Sequence, residues 1–211
     1  LNKMAHRLRL KLGVVHIDHQ LRGVESDRDR EFVVDLAEKF GLETDLKSFS
    51  VASAIKKTGE NLEQAARTVR YKFFKSLIDS DRYDKIAVGH TRSDQAETIL
   101  FRLLRGAGSA GLAGIRPVLD DQIIRPLIEL TRDDVMTYLK YHNHDYRLDS
   151  TNNDTCRARN RLRHNLLPQL QRDWNPNIVT TLANTAEWAR AEEEEWDVRL
   201  SSLARSCLTF T

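Results

Sequence analysis

The stretch KIAVGHTRSDQAETILFRLLR, residues 85–105, decides the fold class. Its first six residues form a short apolar run that is typical of a buried strand. An amphipathic helical pattern follows over residues 93–105 and is predicted to bury Ala96, Ile99, Leu100, Leu103 and Leu104. GVVHID at 13–18 is a second such strand, predicted to be buried on both faces. Strands that alternate with helices imply parallel pairing through right-handed crossovers. The sequence therefore predicts an α/β fold with a doubly wound, mostly parallel, Rossmann-like sheet.

Further elements fit this order on both sides. Helical patterns cover residues 1–12, 25–40 and 61–78, and a weaker alternating pattern at 44–50 predicts another strand. Beyond the glycine-rich loop, a hairpin turns at Asp120–Asp121, and helices are predicted at 131–141, 157–170 and 178–203. Because the chain is all-helical after residue 170, we predict a nucleotide-binding domain at 1–170 and a helical segment, the start of a second domain, at 171–211.

Composition narrows the class of protein. Hydrophobic residues make up 40% and charged residues 30% of the chain, as in water-soluble globular proteins, and no apolar run is long enough to span a bilayer. Cys156 and Cys207 lie far apart, which argues against a disulfide framework or a cysteine-ligated metal and favours a cytoplasmic location. A net charge of +2 does not indicate nucleic acid, although RARNRLRH at 157–164 is locally basic.

Polar side chains follow both predicted strands. Ligands of such sheets bind outside the carboxyl ends of the strands, so Asp18, His19 and Arg22 are candidates for hydrogen bonds to a nucleotide. A polar turn that only caps the strand is the alternative, and it is favoured when this segment is taken alone. The catalytic interpretation requires Asp18 and the acids that follow His90 to stand over one cleft.

Those acids are Asp94 and Glu97, which lie within about 60° of each other on the predicted helix. A carboxylate pair of this kind can hold Mg²⁺, or grip an amine and accept its proton. Acids in a first helical turn can also do no more than complement the helix dipole. The position after a strand favours the functional interpretation.

Arginines supply the remaining candidates. Arg70 could contact a phosphate, although a helix with surface ion pairs is the favoured interpretation of its segment taken alone. Arg159 and Arg163 fall near the buried stripe of their helix and are expected to meet carboxylates or phosphates, because an unpaired buried charge is costly. Arg157 and Arg161 point roughly the other way, towards either a tRNA backbone or surface ion pairs.

Six segments in this order resemble the tRNA(Ile)-lysidine synthetase family of PP-loop ATP pyrophosphatases, from about residue 13 to residue 176. The segments are HIDHQLRG, LEQAARTVRYKFF, GHTRSDQAET, LLRGAGSAGLAGI, IIRPLIELTRDDV and DSTNNDTCRARNRLRHNLLP. The resemblance implies ATP-dependent ligation of L-lysine to C2 of the wobble cytidine of CAU-anticodon tRNA(Ile), through an adenylated intermediate, with ATP and Mg²⁺ as cofactors.

The resemblance also implies roles for individual residues. It implies that Asp94 and Glu97 are the essential acids, suited to Mg²⁺ or the lysine ammonium, and that Arg70 is the arginine of the family's RY motif. We assign Asp18, His19, Arg22 and His90 to nucleotide binding, and Arg157, Arg159, Arg161 and Arg163 to tRNA. Ser93 stands where the family usually has an acid.

The resemblance also implies a missing part, because the family's SGGxDS phosphate loop would precede residue 1. We therefore expect the chain to be truncated at its N-terminus and to be inactive by itself. Alternatives left open are a PP-loop enzyme that thiolates tRNA or amidates a nucleotide, and a non-catalytic RNA-binding protein. A homodimer is also left open, and no membrane association is expected.

Overall fold

A computed structural model describes residues 1–18, 23–49, 62–149 and 158–207. The chain divides into two compact units, residues 1–83 and 84–211, with mixed helices and strands in both. No helix among the described residues is long and apolar enough to cross a membrane. Predicted assignments for His19, Arg22 and Arg157 lie outside the described residues.

In the first unit, a short helix α1 (Ala5–Leu8) precedes strand β1 (Gly13–Asp18). The predicted helix over 1–12 ends early because Arg9 adopts a left-handed conformation with φ 52°. Helix α2 (Val24–Lys39) leads to strand β2 (Glu43–Ser48), which pairs with β1 in parallel over six residues, from Gly13–Glu43 to Asp18–Ser48. Helix α3 (Leu62–Asp79) follows. Parallel pairing of strands separated by a helix is confirmed here.

Strand β1 is less buried than its apolar sequence predicts. Residues 13–17 are only partly buried, whereas Asp18 at the end of the strand is buried. At the start of the strand, a Cβ on Gly13 would lie 2.2 Å from the Tyr83 hydroxyl, so only glycine fits. That hydroxyl donates a short hydrogen bond to Asp45 on β2. Burial and this bond raise the pKa of Tyr83 to about 12.

The second unit begins with strand β3 (Ile86–Ala87) and helix α4 (Arg92–Leu103), the strand and helix predicted for residues 85–105. A short helix α5 (Ser109–Leu112) lies in the glycine-rich loop. Strands β4 (Val118–Leu119) and β5 (Ile123–Ile124) form the predicted hairpin, and β5 also pairs with β3 in parallel. Asp120 and Asp121 both have positive φ, as a two-residue type I′ turn requires.

Helix α6 (Arg132–Tyr141) begins at its predicted capping residue, Thr131. The predicted helix over 157–170 is instead a helix α7 (Ala158–Arg161), a π-helical turn (Leu162–Leu166) and a helix α8 (Leu167–Asp173). The long helix α9 (Ile178–Cys207) ends the described chain. Short π-helical segments are rare and are often found at functional sites.

The core of the second unit lies between α4, the π-helical turn, α8 and α9. Its members are buried apolar residues: Ala96, Ile99, Leu100, Leu162, Leu167, Leu182 and Ala186. The prediction that Leu103 and Leu104 point inward is wrong, since they are 45% and 63% exposed. These two leucines lie at the C-terminal end of α4, and Leu104 lines an open groove with Arg161 and Leu162.

Candidate active site

Helix α4 starts with a capping box directly after β3. The Thr91 hydroxyl accepts a hydrogen bond from the Asp94 backbone N–H, and Asp94 Oδ2 accepts bonds of 2.8 Å from both the backbone N–H and the hydroxyl of Thr91. This reciprocal arrangement satisfies donors that the first helical turn would otherwise leave unpaired. It also fixes the rotamer of Asp94, so the Oδ1 atom faces away from the cap.

Glu97, one turn further along α4, is 1% exposed. Arg163 from the π-helical turn donates two hydrogen bonds to it: Nε donates to Oε1 at 2.7 Å and Nη2 to Oε2 at 2.9 Å. A two-bond fork of this kind is the strongest geometry for an arginine–carboxylate pair. The hydrogen bond to Glu97 raises the pKa of Arg163 above its ordinary value.

Two more arginines complete the group. Arg159 Nε lies 3.5 Å from Glu97 Oε2, and its Nη2 donates to the Thr98 hydroxyl at 2.5 Å. Arg132 Nη2 donates to Asp94 Oδ1 at 3.1 Å, and its Nη1 lies 3.5 Å from Glu97 Oε1. We call Asp94, Glu97, Arg132, Arg159 and Arg163 the carboxylate–arginine cluster. The prediction that Arg159 and Arg163 meet carboxylates is confirmed.

The cluster is a poor magnesium site in this arrangement. Mg²⁺ needs oxygen ligands in near-octahedral geometry at about 2.1 Å. Both Glu97 oxygens are held by Arg163, while Asp94 Oδ2 is bonded to Thr91 and Oδ1 to Arg132. Guanidinium groups also outnumber the carboxylates, so the charge of the cluster is positive and repels a cation. The metal role of the two acids stays a prediction that this geometry does not favour.

His90, the last residue before the cap, is held by an arginine that the sequence did not single out. Arg125 follows β5, is 4% exposed, and donates from Nε to His90 Nδ1 at 3.1 Å. Its Nη1 donates a short bond to the Arg116 backbone oxygen.

The glycine-rich loop is fastened to α4 by a second missed residue, Gln95. Its side-chain oxygen accepts from the Ile115 N–H at 2.7 Å, and its side-chain nitrogen donates to the Ile115 oxygen at 3.1 Å. Gly114 has φ +63°, and a Cβ there would lie 2.6 Å from the Gln95 oxygen. Glycine is therefore required for the loop to pass this closely over the helix.

The other predicted residues have different placements. Asp18 is buried at the end of β1, and Arg70 is partly buried on α3, where burial lowers the pKa of its guanidinium. Both belong to the first unit, and a cleft shared with Asp94 stays a prediction. Arg161 is exposed and lines a groove beside Phe101, Leu104 and Arg105, away from the acids that Arg159 and Arg163 contact.

Arg132 is the cluster member that the sequence analysis missed. Its signal was present in the sequence, because it is the first helical residue after the predicted cap Thr131, as Arg92 is after Thr91. The pattern did not reveal that its side chain reaches back to α4, since 38 residues separate it from Asp94.

Comparisons with known proteins show the family of the chain. The family model of the PP-loop domain matches residues 1–170. The tRNA(Ile)-lysidine synthase of Solibacter usitatus is 50% identical over 95% of this chain, and that of Chlorobaculum tepidum is 37% identical over 95%. The chain spans 44% and 60% of the length of these two relatives.

A solved structure supports the fold alone. The U34-tRNA thiolase NcsA of Methanococcus maripaludis superposes with a TM-score of 0.65 at 17% identity, over 82% of this chain and 60% of that one. The α/β architecture and the family match over most of the sequence lead to one assignment. This chain belongs to the PP-loop domain family.

Proposed function

We propose that this chain is the nucleotide-binding part of a tRNA(Ile)-lysidine synthetase, a carbon–nitrogen ligase of the cytoplasm. The substrates would be ATP, L-lysine and tRNA(Ile) with a CAU anticodon. The proposal is supported by relatives of that name, at up to 50% identity among those compared, and by the PP-loop family, whose members use ATP. The structural observation that carries it is the carboxylate–arginine cluster at the N-terminus of α4.

The proposed reaction has two steps. The C2 oxygen of the wobble cytidine attacks the α-phosphorus of ATP, the α–β anhydride bond breaks, and pyrophosphate leaves. The ε-amine of lysine then forms a bond to C2 as the C2–oxygen bond breaks, and AMP leaves with that oxygen. Lysine arrives as an ammonium ion, so a base must take protons from its nitrogen.

Within this scheme the two acids have unequal roles. Glu97 is buried and fully engaged with Arg163, so it holds the arginines in place. The side chain of Asp94 is 20% exposed, and its Oδ1 has a single 3.1 Å bond to a half-exposed arginine. Asp94 is therefore the better candidate to contact the lysine ammonium and to accept its proton.

The arginines supply positive charge for the anionic parts of the reaction. Arg163, 19% exposed, is held by Glu97, and Arg159, 38% exposed, lies 3.5 Å from the same carboxylate. Guanidinium groups fixed in this way stabilise developing negative charge at phosphate. Arg70 on α3 and the polar residues Asp18, His19, Arg22 and His90 are proposed to contact ATP. Arg157 and Arg161 are proposed to contact the tRNA backbone, and Mg²⁺ is proposed to accompany the ATP phosphates.

A homodimer is proposed from helix α9. Leu182, Ala186 and Ala189 are buried along one stripe of the helix, and Trp196, Leu200 and Leu203 continue the same heptad spacing but are 53%, 58% and 58% exposed. A stripe at this spacing packs against another helix. The occupant we propose is the same stripe of a second copy, because it is continuous with the interface that α9 already makes.

The test of the enzyme function uses two matched substitutions in the longest reading frame that contains these residues. Asp94→Asn and Asp134→Asn remove the acid of equivalent capping boxes on α4 and α6, but only Asp94 also contacts the arginines. We expect Asp94→Asn to reduce lysine incorporation into tRNA(Ile) by at least about 100-fold, as loss of a general base does. Asp134→Asn should retain most of the activity.

Two outcomes would contradict the proposal. If the unchanged protein incorporates no lysine into tRNA(Ile) transcripts with ATP present, the function is wrong. If Asp94→Asn and Asp134→Asn lose the same activity, Asp94 serves only as a helix cap. Incorporation by the 211-residue chain alone would show that it needs no further phosphate-binding segment.

A further inference from the structure

Contacts between the starts of α4 and α6 place Arg132 beside Asp94 and Glu97. Its backbone N–H donates to Ser93 Oγ at 3.1 Å, and the Arg92 N–H donates to the Leu130 oxygen at 2.7 Å. These two bonds tie the helix starts together from both sides. The Arg132 side chain then extends over α4 to Asp94, so its position is set by the backbone and by Ser93.

The bonds of Arg132 differ from those of Arg163. Arg163 is 19% exposed and holds both oxygens of Glu97 at 2.7 and 2.9 Å. Arg132 is 40% exposed, with one bond of 3.1 Å to Asp94 and a looser contact of 3.5 Å to Glu97. Exposed pairs contribute little net stability. The Glu97 charge therefore stays compensated without Arg132, which is the exchangeable member of the cluster.

The charge balance creates a competition with any cationic ligand. Among the residues that the structure describes, three guanidinium groups face two carboxylates, so an ammonium that approaches Asp94 meets an excess of positive charge. If Arg132 turns away, positive and negative groups become equal in number. Asp94 Oδ1, which keeps Arg163 Nη2 at 3.7 Å, is then open to the ligand, while Oδ2 stays fixed by Thr91.

We propose that Arg132 occupies the ammonium subsite at Asp94 and that the lysine ammonium displaces it. This inference rests on the proposed lysidine synthetase function. Arg132 acts through Asp94 and is a positioning residue that sets the affinity for lysine. Before lysine binds, it compensates the charge of a carboxylate whose other guanidinium neighbour, Arg163 Nη2, lies 3.7 Å from Oδ1.

The experiment measures lysine binding directly. Equilibrium dialysis with radiolabelled lysine, in the longest reading frame with ATP present, should give a Kd about two- to fivefold lower for Arg132→Gln, the range that matches loss of an exposed competing ion pair. Arg132→Lys keeps a competing cation and should restore the wild-type Kd. A structural role alone cannot tighten binding, so the sign of the change is decisive.

Arg92→Gln is the matched control. Arg92 is also the first residue of a helix after a threonine cap, but it pairs with exposed Glu129 at 3.5 Å and does not contact Asp94. Its substitution should leave the lysine Kd unchanged. Unchanged or weaker lysine binding in Arg132→Gln, with an unaltered melting temperature, overturns the displacement. Absence of lysine binding in the wild-type protein overturns both this inference and the proposed function.

Discussion

At the residue scale, Glu97 and Asp94 differ although a helical pattern treats them alike. Glu97 is buried and accepts two hydrogen bonds from Arg163. Asp94 instead uses Oδ2 in the helix cap with Thr91 and Oδ1 to accept a bond from the exchangeable Arg132. The environment therefore assigns a structural role to one acid and a chemical role to the other. Two acidic side chains on the same face of a helix therefore need not have the same function.

The pair between Glu97 and Arg163 gives a stability prediction. Glu97→Gln should lower the free energy of unfolding by about 3 kcal/mol, because it leaves the Arg163 charge in a largely buried place without its partner. Urea denaturation monitored by circular dichroism measures the loss. A double variant, Glu97→Gln with Arg163→Met, should lose less than the sum of the single variants.

Glu129→Gln is the control for this prediction, since Glu129 is 78% exposed and pairs with Arg92 in the first turn of α4. This substitution should lower the free energy of unfolding by less than about 0.5 kcal/mol. If Glu97→Gln and Glu129→Gln lower the free energy of unfolding equally, the buried ion pair in the carboxylate–arginine cluster contributes no more to stability than an exposed pair.

At the scale of the elements, α4 and α6 begin with the same capping box. Thr91 with Asp94, and Thr131 with Asp134, make the same reciprocal hydrogen bonds. The two boxes lie beside each other because Arg132 N–H binds Ser93 and Arg92 N–H binds Leu130. In the resembling family an acid usually stands at position 93, and its carboxylate could accept the bond that the Ser93 hydroxyl accepts here. This departure therefore leaves the junction intact.

The twin caps allow a paired prediction. Thr91→Ala and Thr131→Ala should each lower the free energy of unfolding by about 1 kcal/mol, the usual cost of a lost threonine cap. Only Thr91→Ala should also raise the lysine Kd, because Thr91 fixes the rotamer of Asp94. Thermal denaturation and equilibrium dialysis on both variants measure the two effects. Equal effects on lysine binding would show that the cap does not orient Asp94.

At the scale of the whole molecule, helix α9 has two halves with different surroundings. Leu182, Ala186 and Ala189 pack in the core, whereas the large apolar residues that the structure describes after residue 190 are exposed. The EEEE run at residues 192–195 separates the two halves and was expected to be a solvated helix face. Glu193 is partly buried within it, and its neighbours on either side are exposed.

The proposed dimer predicts a position-specific effect on this helix. Leu200→Glu should shift the protein towards monomers in sedimentation velocity, because it places a charge in the stripe that two copies would share. Val198→Glu, on the same helix but off the stripe and 67% exposed, should not. A wild-type protein that is monomeric at tens of micromolar would overturn the dimer.

The relatives bear on the alternatives as well. The thiolase neighbour shares the fold at 17% identity, while the named synthases share up to half of the sequence. Fold similarity at that distance carries no reaction. Among the described residues Cys207 is a free, exposed cysteine on α9, which offers no support for a thiolating site. The predicted domain boundary at residue 170 stays a prediction.

The sequence alone determined the elements and much of the local geometry. Apolar runs predicted β1 and β3, threonine followed by aspartate three residues later predicted the start of α6, and Asp120–Asp121 predicted the hairpin turn. These features depend on residues within a few positions of one another, and local backbone chemistry is enough to specify them. Arginine positions on one helix face also predicted partners for Arg159 and Arg163.

Only the tertiary structure decided how the site is assembled. It brought Arg132 to Asp94 across 38 positions and Arg163 to Glu97 across 66, and it inserted a π-helical turn into the segment that carries Arg163. It also buried Glu97 while leaving Asp94 accessible. Helical periodicity predicts which face of a helix a side chain occupies, but the groups packed against that face come from distant segments. The charge balance at Asp94 and Glu97 follows from that packing.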